Sequence, residues 1–296
     1  MNTIPAILAI CEQISQATGK SFKPHTNQGT GGGCINKTFI LADDHQKFFI
    51  KSNRADLSEM FVAEVEGLNA LNAAQAFRIP EVICHGSDSN NAWLVLEYLP
   101  LGGPGARNFA LAGEKLALQH QSSQRLFGWH RDNTIGSSPQ VNNPEKNWST
   151  FWKQHRLGYQ LKLASSHGYH GEVITVCEDL IERCDAFFDH DPKAALLHGD
   201  LWSGNLSFDD KGQPVIYDPA VYYGDAEADI AMTELFGGFG NDFYQAYNQV
   251  SPIDSGYRSR KRLYNLYHIL NHMNLFGGGY QQQSIQMARQ LLSELK

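Results

Sequence analysis

At 296 residues the chain can bury a large core and is long enough for two lobes. Its net charge of -7, its pI near 5.9 and the lack of any Lys/Arg run argue against a nucleic-acid partner. The five cysteines, Cys11, Cys34, Cys84, Cys177 and Cys184, are scattered with no C-x-x-C pair, which points to a reducing cytoplasm and against a zinc site.

The apolar stretch 4–10 has no basic region before it and runs into Glu12 and Gln13 in a helix-like pattern, so neither a signal peptide nor a membrane span is expected. Segments 20–23 and 35–41 both read as strands, with Gly29-Thr30-Gly31-Gly32-Gly33 between them. Such a loop lets backbone N–H groups reach a phosphate without obstruction by Cβ, which makes Gly31, Gly32 and Gly33 candidate phosphate contacts. A merely flexible loop has the same composition.

Lys51 ends the apolar run Phe48-Phe49-Ile50. In the helix that follows, Asp56-x-x-Glu59 can form a capping box, and Phe61, Val65, Leu68 and Leu71 recur on one face. At about 100° per residue Glu64 falls inside that apolar stripe, whereas Glu66 points away and reads as a solvated residue. A carboxylate on a buried face needs a partner, and Lys51 is the natural one. The pair would aim the lysine at nucleotide phosphates.

The apolar strand 92–98 runs into the Pro/Gly-rich segment 99–105, read as a linker between lobes. Backbone groups of Glu97, Tyr98 and Leu99 could bind adenine there; a core strand followed by an ordinary loop shares the same sequence. Beyond it, 110–121, 148–166, 172–190, 225–236 and 254–276 have helical periodicity or composition, and Trp129, Phe151, Trp152 and Phe187 read as core. The twelve histidines are dispersed without a convincing metal partner set. The fold class expected is α+β, with a small β-rich lobe over 1–100 and a larger, mainly helical lobe over 101–296.

His198-Gly199-Asp200-Leu201-Trp202-Ser203-Gly204-Asn205 followed by Val215-Ile216-Tyr217-Asp218 is the most informative stretch. The turn cluster 209–212 between short apolar runs predicts a hairpin, whose register sets Asn205 opposite about position 217. Asn205 and Asp218 should therefore converge. An amide oxygen and a carboxylate suit Mg²⁺, a hard cation that takes few protein oxygens plus phosphate and water. Asp200, just upstream, could accept the proton of an attacking hydroxyl. A solvated Asp/Asn turn is the alternative for any one of these residues alone.

The stretch from Leu196 to Asn205, with Tyr217-Asp218-Pro219-Ala220 and then Tyr223-Gly224-Asp225-x-Glu227-x-Asp229, resembles the fructosamine kinase (ketosamine 3-kinase) family. That family belongs to the aminoglycoside phosphotransferase branch of the protein-kinase-like fold. Phe49-Ile50-Lys51, Glu64, Phe127-Gly128, Asn133, Trp148 and Leu275-Phe276-Gly277-Gly278 fit as well, so the resemblance spans nearly the whole chain. It implies a two-lobed kinase that uses ATP and Mg²⁺ to phosphorylate a sugar hydroxyl, O3 of a fructosamine or ribulosamine, after which the product breaks down and frees the amine. Asp200 would be the base, Asn205 and Asp218 the metal ligands, and Lys51 the phosphate contact held by Glu64. The acceptor would be a small-molecule or protein-bound ketoamine.

Departures from protein kinases are informative. Gly199 stands where those enzymes carry the arginine that receives a phosphorylated loop, Asp218-Pro219-Ala220 replaces D-F-G, and no A-P-E follows, so a constitutive small-molecule kinase is expected. A kinase for an aminoglycoside, choline or homoserine is an alternative that the Trp202-Ser203-Gly204 signature disfavours. A pseudokinase scaffold is another, opposed by retention of Lys51, Glu64, Asp200, Asn205 and Asp218. Trp202 is expected to face substrate, packing its indole on sugar C–H groups or a cationic amine; anchoring the loop to the core is the alternative. Cys34, beside the glycines and Lys51, is a candidate reactive thiol that could link two monomers into a homodimer, or an unreactive small residue.

Overall fold

The computed structural model describes residues 3–30, 35–102 and 107–295. Gly31, Gly32, Gly33 and Cys34, named above as phosphate contacts and reactive thiol, lie outside the described residues, as do Gly103, Pro104 and Gly105 of the expected linker.

The chain opens with helix α1 (Thr3–Thr18), then strands β1 (Thr26–Gly29), β2 (Lys37–Ala42) and β3 (Lys47–Arg54), helix α2 (Ser58–Ala73), and strands β4 (Val82–Ser87) and β5 (Asn91–Glu97). The five strands form one antiparallel sheet in the order β1-β2-β3-β5-β4. Period-two alternation sorts its side chains. Phe48, Ile50, Trp93 and Val95 pack under α1 with Ile10 and Ile14, while Leu94 and Leu96 join Phe61, Leu68 and Leu71 of α2 on the other face. Lys51 follows Ile50 and so points to the α2 side. Segment 20–23 is not a strand: Phe22 is drawn into the core under α1, and the strand before the glycines is Thr26–Gly29.

The second lobe is mainly helical. After α3 (Phe109–Gln119), strands β6 (Ser123–Gln124), β7 (Asn133–Ile135) and β8 (Ser138–Gln140) precede one long helical stretch. This runs from α4 (Trp148–Phe151) through a π-helical segment (Trp152–Gly158) into α5 (Tyr159–Ser166), within the bounds read from the sequence. Then come α6 (Glu172–Arg183), β9 (Ala194–Leu197), the hairpin β10 (Leu206–Phe208) and β11 (Pro214–Ile216), β12 (Tyr222–Gly224), and helices α7 (Ala226–Leu235), α8 (Asn241–Val250), α9 (Tyr257–Phe276) and α10 (Tyr280–Glu294). A core of Trp148, Phe151, Trp152, Leu263, Tyr264 and Tyr267 fills this lobe. The cluster around Phe61 and Leu94 continues into Leu196, Leu201, Leu206 and Ile216. The small sheet lobe and the helical lobe therefore share one apolar seam, and the architecture is α+β. Among the described residues no helix is long and apolar enough to cross a membrane.

Two local expectations at α2 fail. The capping box does not form: Asp56 is taken by Arg54, and the N-cap of α2 is Leu57, whose apolar side chain cannot cap it. Glu66 is not merely solvated, since its carboxylate meets His130 at 2.7 Å and Arg131 at 3.0 Å. The cause is tertiary: the segment before β7 folds back over the outer face of α2.

Candidate active site

β3 places Lys51 and α2 places Glu64 against each other, as the apolar stripe required. The buried Lys51 ammonium lies 2.5 Å from Glu64 and 2.5 Å from Asp218, so the lysine bridges the two lobes. Burial alone would depress the ammonium pKa, but Asp218 and Glu64 outweigh it and the net shift is upward. Burial also raises the Glu64 carboxyl against the pull of Lys51.

The hairpin forms in the expected register. Leu206 faces Ile216, and the Tyr217 N–H donates to the Asn205 carbonyl at 3.2 Å. Asn205 uses its amide N–H groups on Asp200, 2.8 Å to the carbonyl and 3.1 Å to Oδ2. Its amide oxygen, the second oxygen of Asp218 and Oδ1 of Asp200 have no hydrogen-bond partner among the described residues. Asp218 itself has φ +57, a left-handed conformation that aspartate tolerates better than most side chains. The Asn205 amide oxygen and the free Asp218 oxygen are thus two hard donors beside a fixed ammonium, a set that fits Mg²⁺ and not a softer metal, while Asp200 Oδ1 is left open to accept a proton.

Asp200 is strongly perturbed. Burial pushes its carboxyl well above the usual range, Asp218 raises it further, and the Asn205 hydrogen bond opposes both. The neighbouring His198 is buried and its pKa is lowered by that burial. Its ring contacts define one neutral tautomer, with Nε2–H donating to the Tyr217 carbonyl at 3.1 Å and Nδ1 accepting the Asp200 N–H at 3.2 Å.

The residue that holds this loop belongs to the Asp225-x-Glu227-x-Asp229 motif, to which sequence reasoning assigns no role. Asp229 on α7 accepts the N–H of His198 at 2.7 Å and of Gly199 at 2.9 Å, and its Oδ2 also meets His120 at 3.3 Å. Burial would raise the Asp229 carboxyl, but His120, His198 and the Gly199 N–H outweigh that and lower it. A carboxylate inside the apolar run Ala228 to Met232 was the available signal. Gly199 is also required by geometry: φ is +81, and a Cβ there would come within 2.0 Å of the Ala220 carbonyl oxygen.

Trp202 is half-exposed, at 37 %, and leans edge-on against Phe236 with ring centroids 5.9 Å apart. A Cβ on Gly204 would strike its ring at 2.4 Å, so that glycine lets the indole lie across the loop. Phe236, His272, Phe276 and Tyr280 continue the row, each ring within 5.5 Å of His272.

At the expected adenine edge, the Glu97 carboxylate is occupied by Arg78 and the Glu81 N–H, and its own N–H donates to the Glu81 carbonyl at 2.8 Å. Tyr98 carries the Lys47 ammonium 3.8 Å above its ring, and the main-chain groups of Tyr98 and Leu99 make no hydrogen bond to the described residues. A concavity of about 410 Å³ between α2 and β4, lined by Asn69, Asn72, Arg78 and Glu81, contains none of the groups around Asp200. His190, Asp225 and Glu227 cluster within 4.8 Å of one another. Arg260 occupies Glu227, and His190, Tyr264 and the start of α7 occupy Asp225, so this cluster is a structural network.

Residues 6–294 match the fructosamine kinase family. A probable ketoamine kinase of Synechocystis is 49% identical, over 96% of this chain and 96% of that protein. A chloroplastic protein-ribulosamine 3-kinase of Arabidopsis thaliana is 40% identical, over 90% of this chain and 82% of its own length. A Haemophilus somnus structure described as a fructosamine-3-kinase superposes with a TM-score of 0.88 at 28% identity, covering 96% of both chains. Likeness to an aminoglycoside phosphotransferase and a choline kinase, at TM-scores of 0.62 and 0.66 and 13% and 14% identity, shows the fold alone. The chain is a kinase and belongs to the fructosamine kinase family.

Proposed function

We propose that the protein transfers the γ-phosphoryl group of ATP, with Mg²⁺, to a sugar hydroxyl of a ketoamine of fructosamine or ribulosamine type, at O3, in support of deglycation. The observation that carries this reading is the buried Lys51 ammonium bridging Glu64 and Asp218 beside Asp200 and Asn205. Phosphoryl transfer rests mostly on positioning and charge stabilisation, so this small set of groups suffices.

Residues 1–100 serve as the nucleotide lobe in this reading. Main-chain groups of Glu97, Tyr98 and Leu99 meet the adenine edge, Gly31, Gly32 and Gly33 cover the phosphates, and Lys51 neutralises them while Glu64 fixes its direction. Mg²⁺ held by the Asn205 amide oxygen and the Asp218 carboxylate would supply charge neutralisation on the transferring phosphate. Asp200 Oδ1 takes the hydroxyl proton; the raised carboxyl pKa makes it a stronger acceptor than a solvated aspartate. The acceptor is a small-molecule or protein-bound ketoamine, and residues 101–296 supply its site.

Release of ADP with fructosyl-lysine, ribulosyl-lysine and kanamycin tests the assignment. Turnover with a ketoamine and not with kanamycin is expected. Preference for kanamycin would move the chain to another small-molecule class, and release with none of the three would favour a nucleotide-binding scaffold.

Two variants follow from the site. Asp218→Asn is expected to raise the Mg²⁺ concentration for half-maximal rate by about tenfold or more, because a neutral amide is a poorer ligand for a hard cation. A magnesium titration superposing on wild type would remove Asp218 from the metal site. Trp202→Leu should raise KM for fructosyl-lysine about tenfold by removing the indole face, with KM for ATP unchanged. An unaltered ketoamine KM in the folded variant would leave Trp202 as an anchor for its loop.

A further inference from the structure

Helix α2 must sit so that Glu64 reaches Lys51, and a helix in that position in protein kinases is governed by a switchable activation segment. This chain lacks such a segment, as the Asp218-Pro219-Ala220 sequence indicated. Something else must hold α2.

Glu59 and Glu66 are seven residues apart, two helical turns, and share one face of α2. Both meet Arg131: Glu66 at 3.0 Å and Glu59 at 2.8 Å, and Glu66 also meets His130 at 2.7 Å. Burial pushes the Glu66 carboxyl up, but His130 and Arg131 together outweigh it and hold it below the ordinary range.

The segment that carries His130 and Arg131 is bonded on its other side to the chain just after Asp218. Gly128 and Tyr223 exchange two backbone hydrogen bonds of 2.8 Å, and Trp129 stacks on Tyr223 at 5.6 Å. Asn133 donates to the Val221 carbonyl at 2.8 Å and Gln140 to the Ala220 carbonyl at 3.0 Å. The helix also touches that chain directly. A Cβ on Gly67 would lie 2.8 Å from a Val221 methyl and 3.5 Å from Pro219, so α2 is seated on the residues that follow Asp218.

We propose that His130 and Arg131 are positioning residues: through Glu66 and Glu59 they lock α2 in the orientation that joins Glu64 to Lys51, and through residues 128–142 they tie it to Asp218. The kinase is thereby held in its working geometry with nothing to phosphorylate. This rests on the reading of Lys51 and Glu64 as the phosphate-holding pair. The ion pairs are partly exposed and individually weak, so the lock works by biasing a population and not by rigid restraint.

The test compares Arg131→Gln and Glu66→Gln with Arg131→Lys, which keeps a cation facing both Glu59 and Glu66. Arg54→Ala serves as the control, since it removes an ion pair that stays within the small lobe. Arg131→Gln and Glu66→Gln should lose about five- to tenfold in kcat, with KM for the ketoamine within about twofold of wild type. By mass spectrometry their backbone amides in 58–73 should exchange faster with solvent deuterium, and Arg131→Lys should stay close to wild type in both properties. Arg54→Ala should change neither. An unchanged kcat and unchanged exchange in Arg131→Gln would overturn the lock, and so would an equal loss in Arg131→Lys. Glu64→Gln separates the two ideas. If Glu64→Gln keeps full activity, the phosphate-holding pair itself is wrong; if Glu64→Gln is inactive and Arg131→Gln is not, only the lock fails.

Discussion

Asp200→Asn is expected to reduce turnover by at least about a hundredfold and, at the same time, to raise the melting temperature of the ligand-free protein. The first effect follows from removal of the proton acceptor with almost no change in volume. The second follows from the burial that raises the Asp200 carboxyl pKa. A carboxyl whose native pKa lies above its unfolded value of about 3.9 binds protons more tightly in the folded state, so its stabilising contribution is complete below the unfolded pKa and is lost as pH rises through the native one. At neutral pH the ligand-free protein therefore carries a net cost for ionising this group beside Asp218, which the Asn205 hydrogen bond offsets only in part. Asparagine removes that cost while keeping a side chain that can still meet Asn205. A gain on the order of 1 kcal/mol, or about 2 °C and more, is expected at pH 7, shrinking toward pH 4. Thermal melts across pH and steady-state kinetics check both halves. Activity within about tenfold of wild type would remove Asp200 as the essential base; an unchanged or lower melting temperature would mean that the carboxylate is not destabilised where it stands.

The parts of this molecule legible in its sequence are those fixed by short-range rules. A turn cluster between apolar runs fixes the register of β10 and β11, which is why Asn205 lies opposite Tyr217 as expected. Helical periodicity places Glu64 on the buried stripe of α2, and the requirement that a buried charge be paired leads to Lys51. What stayed hidden depends on residues distant in the chain. Glu66 read as solvated because nothing near it reveals that residues 130 and 131, more than sixty positions later, fold across its helix. Likewise α8 and α10 were passed over: their cores against α3 and against α6 and α9 are assembled from the whole lobe. The strand before the glycines was misplaced for a related reason, since Phe22 is apolar not to line a sheet but to close the core beneath α1.

The hidden contact with the greatest consequence is Asp229. Asp229→Asn is expected to destabilise the protein by about 2–4 kcal/mol and to lower kcat about a hundredfold, with nucleotide affinity little changed. Both carboxylate oxygens are committed, one to the His198 N–H and one to the Gly199 N–H. An amide offers a single acceptor, so one buried N–H would face an NH₂ group instead. Relief of that clash requires the start of the catalytic loop to shift, and Gly199 leaves little room because it is already seated against the Ala220 carbonyl. A displacement of an ångström at His198 is carried to Asp200 through the ring that accepts the Asp200 N–H. Lys51, Glu64 and the strand leading to Tyr98 lie on other elements, so ATP should still bind. The pH signature is opposite to that of Asp200. The native Asp229 carboxyl is lowered, so its contribution is fully present above the unfolded pKa and is lost as pH falls through the native one. Wild type should therefore lose this stability on acidification and the variant should have none of it to lose. Melting curves for Asp200→Asn and Asp229→Asn that shift in the same direction at neutral pH would contradict the assignment of one buried carboxylate to catalysis and the other to holding the loop in place.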